Sequence, residues 1–179
     1  MNRRSILGLS AAGVFGLALA AESVIAKTKT TPNLRQRIIM PSHTLYAYVD
    51  GADLEDIAAD LDRRFAAFIN SRHWWIAGAA WVVNQRRRET GTRPEDLPLW
   101  DLGLNLSLPS TESLVWFRDV EAIAGFLGVL HRECGRDFVI GIGDIKTGNG
   151  DDLFYVTTDP PDIIRLRSIV RAALRSLWG

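Results

Sequence analysis

From residue 43 onward the chain switches between two hydrophobic periods. Residues 45–50 (LYAYVD) alternate and are rich in Tyr and Val, which predicts a strand. Leu54, Ile57, Ala58, Leu61, Phe65, Phe68 and Ile69 then recur at spacings of three and four, the stripe of an amphipathic helix. Residues 73–84 (HWWIAGAAWVVN) are apolar on both faces, which predicts a strand buried in the centre of a sheet. Residues 100–108 set Leu102, Leu104, Leu106 and Leu108 against Asp101, Gly103, Asn105 and Ser107, the alternation of a half-buried strand. Residues 113–119 (SLVWFRD) read as a further strand, and a helix opening at Asp119 gathers Ile123, Phe126, Leu127, Leu130 and Cys134 on one face. Residues 138–144 (FVIGIGD) and 153–159 (LFYVTTD) are predicted strands around a glycine-rich turn. A last helix carries Ile163, Leu166, Ile169, Val170, Ala173, Leu174 and Leu177 on its stripe.

Three strands end on Asp (Asp50, Asp119 and Asp159) and each hands over to a helix. These aspartates are expected as helix caps rather than catalytic groups, with Pro160 at the first position of the last helix and Asp162 in its first turn. The central order, strand-helix-strand-strand-helix-strand, predicts an α+β fold. Its sheet would be ferredoxin-like (split βαβ), with an added hairpin strand and a C-terminal helix. The spacing between units is irregular, which excludes a solenoid.

The chain before this domain has a different texture. Arg3 and Arg4 precede residues 6–21, an uncharged stretch diluted by Gly8, Ser10, Gly13 and Gly16. At 16 residues it is shorter than the roughly 20 that span a bilayer. Small-residue sites follow after Ala20 and after Ala26, so residues 1–26 read as a signal peptide. Residues 27–42, polar and with two prolines, read as an N-terminal arm, and residues 43–179 as a single domain. The run Asn2-Arg3-Arg4-Ser5-Ile6-Leu7 resembles the twin-arginine (Tat) signal of bacteria, in which a polar residue precedes the arginine pair and a hydrophobic pair follows one residue later. The resemblance stops at residue 26. It implies a periplasmic or secreted destination, reached already folded, and no stable membrane insertion after cleavage.

Of 21 basic and 21 acidic side chains, the segment 1–26 holds Arg3, Arg4 and Glu22, which leaves 19 and 20. A near-neutral chain has no global field for nucleic acid or an anionic membrane. The single cysteine, Cys134, forms no internal disulfide, and no CxxC, CxxCH or HExxH spacing occurs, so no cofactor and no metal are expected. His131 and Cys134 lack a third ligand nearby. The glycines of residues 141–152 (GIGDIKTGNGDD) lie between strands rather than before a helix, the place of a hairpin turn rather than a phosphate cradle.

Two features suit binding. Arg86, Arg87 and Arg88, with Arg93 close by, stand in a polar loop expected over 85–97 and suit an acidic partner. Among six tryptophans, Trp75 and Trp81 fall on one face of the 73–84 strand with only alanines between them, a pattern that fits core packing or an aromatic-walled groove. No GxSxG or SxxK motif occurs. The expected function is therefore a non-enzymatic binding or interaction domain with a protein partner: an inhibitor, an immunity-type protein or an accessory subunit. A small periplasmic hydrolase or ligand-binding enzyme with a tryptophan-walled pocket is the alternative. The oligomeric state is left open.

Overall fold

The computed structural model of the chain describes residues 42–76, 78–87 and 99–178. The signal peptide expected over 1–26 and all but the last residue of the arm lie outside them. The elements in order are β1 (His43–Val49), α1 (Ala58–Asn70), β2 (Ala80–Arg87), β3 (Leu99–Ser107), α2 (Leu114–Cys134), β4 (Phe138–Asp144), β5 (Gly150–Val156) and α3 (Ile163–Trp178). The strands form one open sheet in the order β2-β3-β1-β4-β5, and every neighbouring pair is antiparallel. The α+β class is the one the sequence predicts.

Two-residue periodicity sets what this sheet buries. Leu45 and Ala47 of β1, Leu102, Leu104 and Leu106 of β3, and Phe138 and Ile140 of β4 are wholly buried in one cluster with the helices. α1 packs over β2 and β3, while α2 and α3 pack towards β5. The predicted stripes supply the other half of this core: Leu61 and Phe65 of α1, Ile123, Leu127 and Leu130 of α2, and Leu166, Val170 and Leu174 of α3.

The segment 73–84 is not a central strand. β2 begins only at Ala80, pairs with β3 alone and forms an edge of the sheet. Gly78, at φ +70°, breaks the extended run in a left-handed conformation that costs glycine nothing. Before it, Trp74 turns towards α1. Trp74 sits edge-on to Phe68 with ring centroids 5.8 Å apart, and its Nε1 donates to the Ile69 carbonyl at 3.0 Å. The run is apolar on both faces because its two halves pack in different places. At its other end β2 extends through Arg87, so residues 85–87 belong to a strand rather than to the loop expected over 85–97.

Residues 113–119 are not a strand either. They open α2, with Ser113 as N-cap accepting from the Trp116 amide at 3.2 Å. Trp116, Phe117 and Val120 are buried while Leu114 and Val115 are exposed, a helical pattern that a short apolar run conceals.

None of the three aspartates caps a helix. Asp50 lies well before α1, whose N-cap position, Ile57, makes no side-chain cap bond. Asp159 pairs with Arg132, and Asp162 instead accepts from the Arg165 amide at 3.0 Å, so Pro160 precedes α3 rather than opening it. Asp119 is inside α2 and 4% exposed. It accepts from Arg72 Nη2 at 2.8 Å and from the Trp75 amide at 2.9 Å, and so ties the connection after α1 to α2. The Arg72 guanidinium also lies 4.7 Å from the Trp74 ring centroid. Asp119→Ala strands the Trp75 amide and the mostly covered Arg72 guanidinium. It is expected to lower the unfolding free energy by about 2–3 kcal/mol in urea, with Asp119→Asn costing less. A loss below about 0.5 kcal/mol would mean that this tie contributes nothing.

Candidate functional site

The helices cover one face of the sheet, and among the described residues no helix covers the other. On the open face the same alternation that buries leucines presents Thr44, Tyr46 and Tyr48 from β1 and Trp81, Val83 and Gln85 from β2. β3 adds Asn105, and β4 adds Val139 and Gly143. Together with the β4–β5 hairpin and the chain after β1 they bound a groove of about 750 Å³.

The groove exists because few side chains stand in it. A Cβ at Gly141 would lie 2.2 Å from Cζ and Oη of Tyr46. Only glycine therefore lets the Tyr46 ring lie down across β4. From there its hydroxyl donates to Asp152 Oδ1 at 2.6 Å, and the Tyr155 hydroxyl donates to Asp152 Oδ2 at 2.9 Å. Tyr48 stacks on Tyr46, with centroids 5.1 Å apart and planes 26° apart, and donates its hydroxyl to Asn105 Oδ1 at 2.8 Å. Both rings are thus held at two points each. Trp81 lies opposite Asn105 in the β2–β3 register and forms the far wall.

Burial, and then the Asp152 carboxylate that its hydroxyl meets, push the Tyr46 phenol far above the ordinary tyrosine range. The hydrogen bond to Asp152 also raises Tyr155. Neither phenol gives up a proton near neutrality. Among the described residues no group of three or more His, Cys, Asp or Glu side chains could hold a metal ion. His131 Nδ1 faces the Arg136 carbonyl at 3.0 Å, and Cys134 packs against the core.

The residues singled out from sequence do not converge. Trp81 lines the groove, but Trp75 is 45% exposed in the segment that Asp119 anchors to α2. Arg86 points to the other side of β2, where it pairs with Glu55 at 3.2 Å and lies 3.7 Å from the Trp100 ring centroid. The backbone of Arg87 pairs with Leu99 in the β2–β3 ladder. Arg88 and Arg93 lie outside the described residues. Trp100 and Trp116 serve packing: both are buried, with indole donors satisfied by Asn84 Oδ1 and the Ser107 carbonyl. Sequence reasoning missed Tyr46, Tyr48, Asn105 and Asp152. A signal was available in the period-two series Gly103-Asn105-Ser107 and Gly141-Gly143, small residues on one face of strands whose other face is leucine and isoleucine.

The two raised phenols set an alkaline limit on stability. An unfolded tyrosine ionises near pH 10.0, whereas Tyr46 and Tyr155 keep their protons beyond it. Above that pH the folded chain binds more protons than the unfolded chain, so stability falls as pH rises. The double variant Tyr46→Phe, Tyr155→Phe is expected to show a flatter decline in urea midpoint between about pH 9 and about pH 11. Equal slopes would place both phenols in ordinary surroundings. Compared with protein-family models, curated proteins and solved structures, the chain matches none of them, so the groove is read from its own geometry.

Proposed function

We propose that the protein is an exported, non-enzymatic binding domain that captures a partner protein on the open face of its sheet. The observation that carries this reading is the groove itself, with the held rings of Tyr46 and Tyr48 on its floor and Trp81 as its far wall. Rings held by hydrogen bonds lose little freedom on binding, which favours recognition. The same bonds argue against the hydrolase alternative. Asp152 is occupied by two phenols, and Tyr46 holds its proton too tightly to act as an acid near neutrality.

The ferredoxin-like reading belongs here as well. It is supported by β1 lying between β3 and β4, with β2 outside β3 and all neighbours antiparallel, while β5 continues the sheet beyond β4 as an added hairpin strand. Such scaffolds serve many functions, so the fold adds nothing to the choice of partner.

Two experiments test the proposal. Trp81 is a half-buried wall on an edge strand, so Trp81→Ala is expected to cost less than about 2 kcal/mol in urea unfolding, below the usual loss for a core aromatic. The variant should nevertheless retain much less of the partner that co-purifies with the mature chain from the periplasm. Arg63→Ala, on the exposed face of α1, should retain all of it. Equal retention by both variants would remove the open face as the binding surface. Replacing Arg3 and Arg4 together by Lys should empty the periplasmic fraction of mature protein. Unchanged export would replace the twin-arginine route with an ordinary secretory signal.

A further inference from the structure

We propose that the open face docks an extended segment of a partner polypeptide bearing at least two lysine or arginine side chains, one at each end of the groove. The inference rests on the reading of that face as the binding surface and adds the chemistry of what it binds. Asp50, Asp144 and Asp152 stand among the residues that line the groove, and no described lining residue is basic. The chain as a whole carries 21 basic and 21 acidic side chains, so the one-signed lining is a local arrangement rather than a reflection of composition. Four arginines, Arg165, Arg167, Arg171 and Arg175, stand instead on α3. A groove of one sign attracts a ligand of the other and selects against like charge.

The rings agree with this sign. The faces of tyrosine and tryptophan attract ammonium and guanidinium groups, and carboxylates accept guanidinium hydrogen bonds two at a time. The Tyr46–Tyr48 pair and Trp81 therefore offer a floor for the stems and heads of basic side chains, with carboxylates at the rim.

The distribution of the acids decides what kind of cation fits. Asp144 is opposite His43 in the β1–β4 register, whereas Asp50 follows the last residue of β1. Seven residues of strand separate the two ends, about 23 Å at the usual rise. A compact amine reaches one end only. An extended peptide with basic residues about seven positions apart reaches both.

The test uses the mature chain and three synthetic probes. The first is a blocked glycine-serine peptide with arginines seven residues apart. The second has glutamates in the same places, and the third is the polyamine spermine. The arginine peptide should bind at low ionic strength and weaken as salt is added, while the glutamate peptide and spermine bind at least about tenfold less tightly. The variant Asp50→Asn, Asp144→Asn should lose at least about tenfold in affinity for the arginine peptide with an unchanged unfolding midpoint. Asparagine removes the charge yet keeps the Oδ1 that accepts from the Lys146 amide. Failure of the arginine peptide to bind, or undiminished binding by the variant, overturns the proposal, and equal binding of spermine overturns it in favour of a free polyamine. If Trp81→Ala loses the co-purifying partner while the arginine peptide fails, the open face stands as the binding surface and only its cationic ligand is wrong. If Trp81→Ala retains the partner, both readings fall.

Discussion

β1 is hydrogen-bonded on both sides, to β3 and to β4, and it alternates strictly between two environments. Leu45 and Ala47 go to the helices, while Thr44, Tyr46 and Tyr48 go to the groove. A shift of one residue in its register would put the tyrosines into the core and the leucine into water. The positions of β3 and β4, the packing of all three helices on one side, and the groove on the other follow from this one strand holding its register. The groove is thus the complement of the core rather than a separate feature added to it.

The sequence reveals this where one period dominates. The stripes of α1, α2 and α3 and the alternation in β1, β3 and β4 are legible because each element has a buried side and an uncovered one. The pattern fails where an apolar residue has a reason other than its element's own face. Trp74 is apolar and buried, but against Phe68 and the end of α1 rather than within a sheet. Leu114 and Val115 are apolar and exposed, which gives the start of α2 the look of a strand. The aspartates fail for a different reason. A cap needs only local spacing, whereas Asp119 finds partners in Arg72 and Trp75, more than forty positions away in the chain, and only the folded chain brings them together.

The site was less legible than the fold, because its shape is made by what is missing. Arginine runs and tryptophans catch attention in a sequence, yet Arg86 and Trp100 satisfy each other on the helix side of β2, and Trp116 donates into the core. The groove depends instead on side chains too small to notice, and on two tyrosines that look like ordinary strand formers. Their hydroxyls reach Asp152 and Asn105, 106 and 57 positions away in the chain.

Gly141 carries a consequence for how this surface could diversify. Its missing side chain faces away from the helices, so any replacement there would be felt by Tyr46 and by the β5 backbone, where the Asp151 carbonyl oxygen lies 2.5 Å from the place a Cβ would take. Gly141 itself is not part of the buried cluster on the opposite face. Lifting the ring would break its hold on Asp152 and change the floor of the groove in one step. With Gly143 and Gly150, which border the same ring, Gly141 is a backbone position through which the relief of this surface can drift. The limit on that drift is the β5 backbone, which would have to give way to any larger side chain.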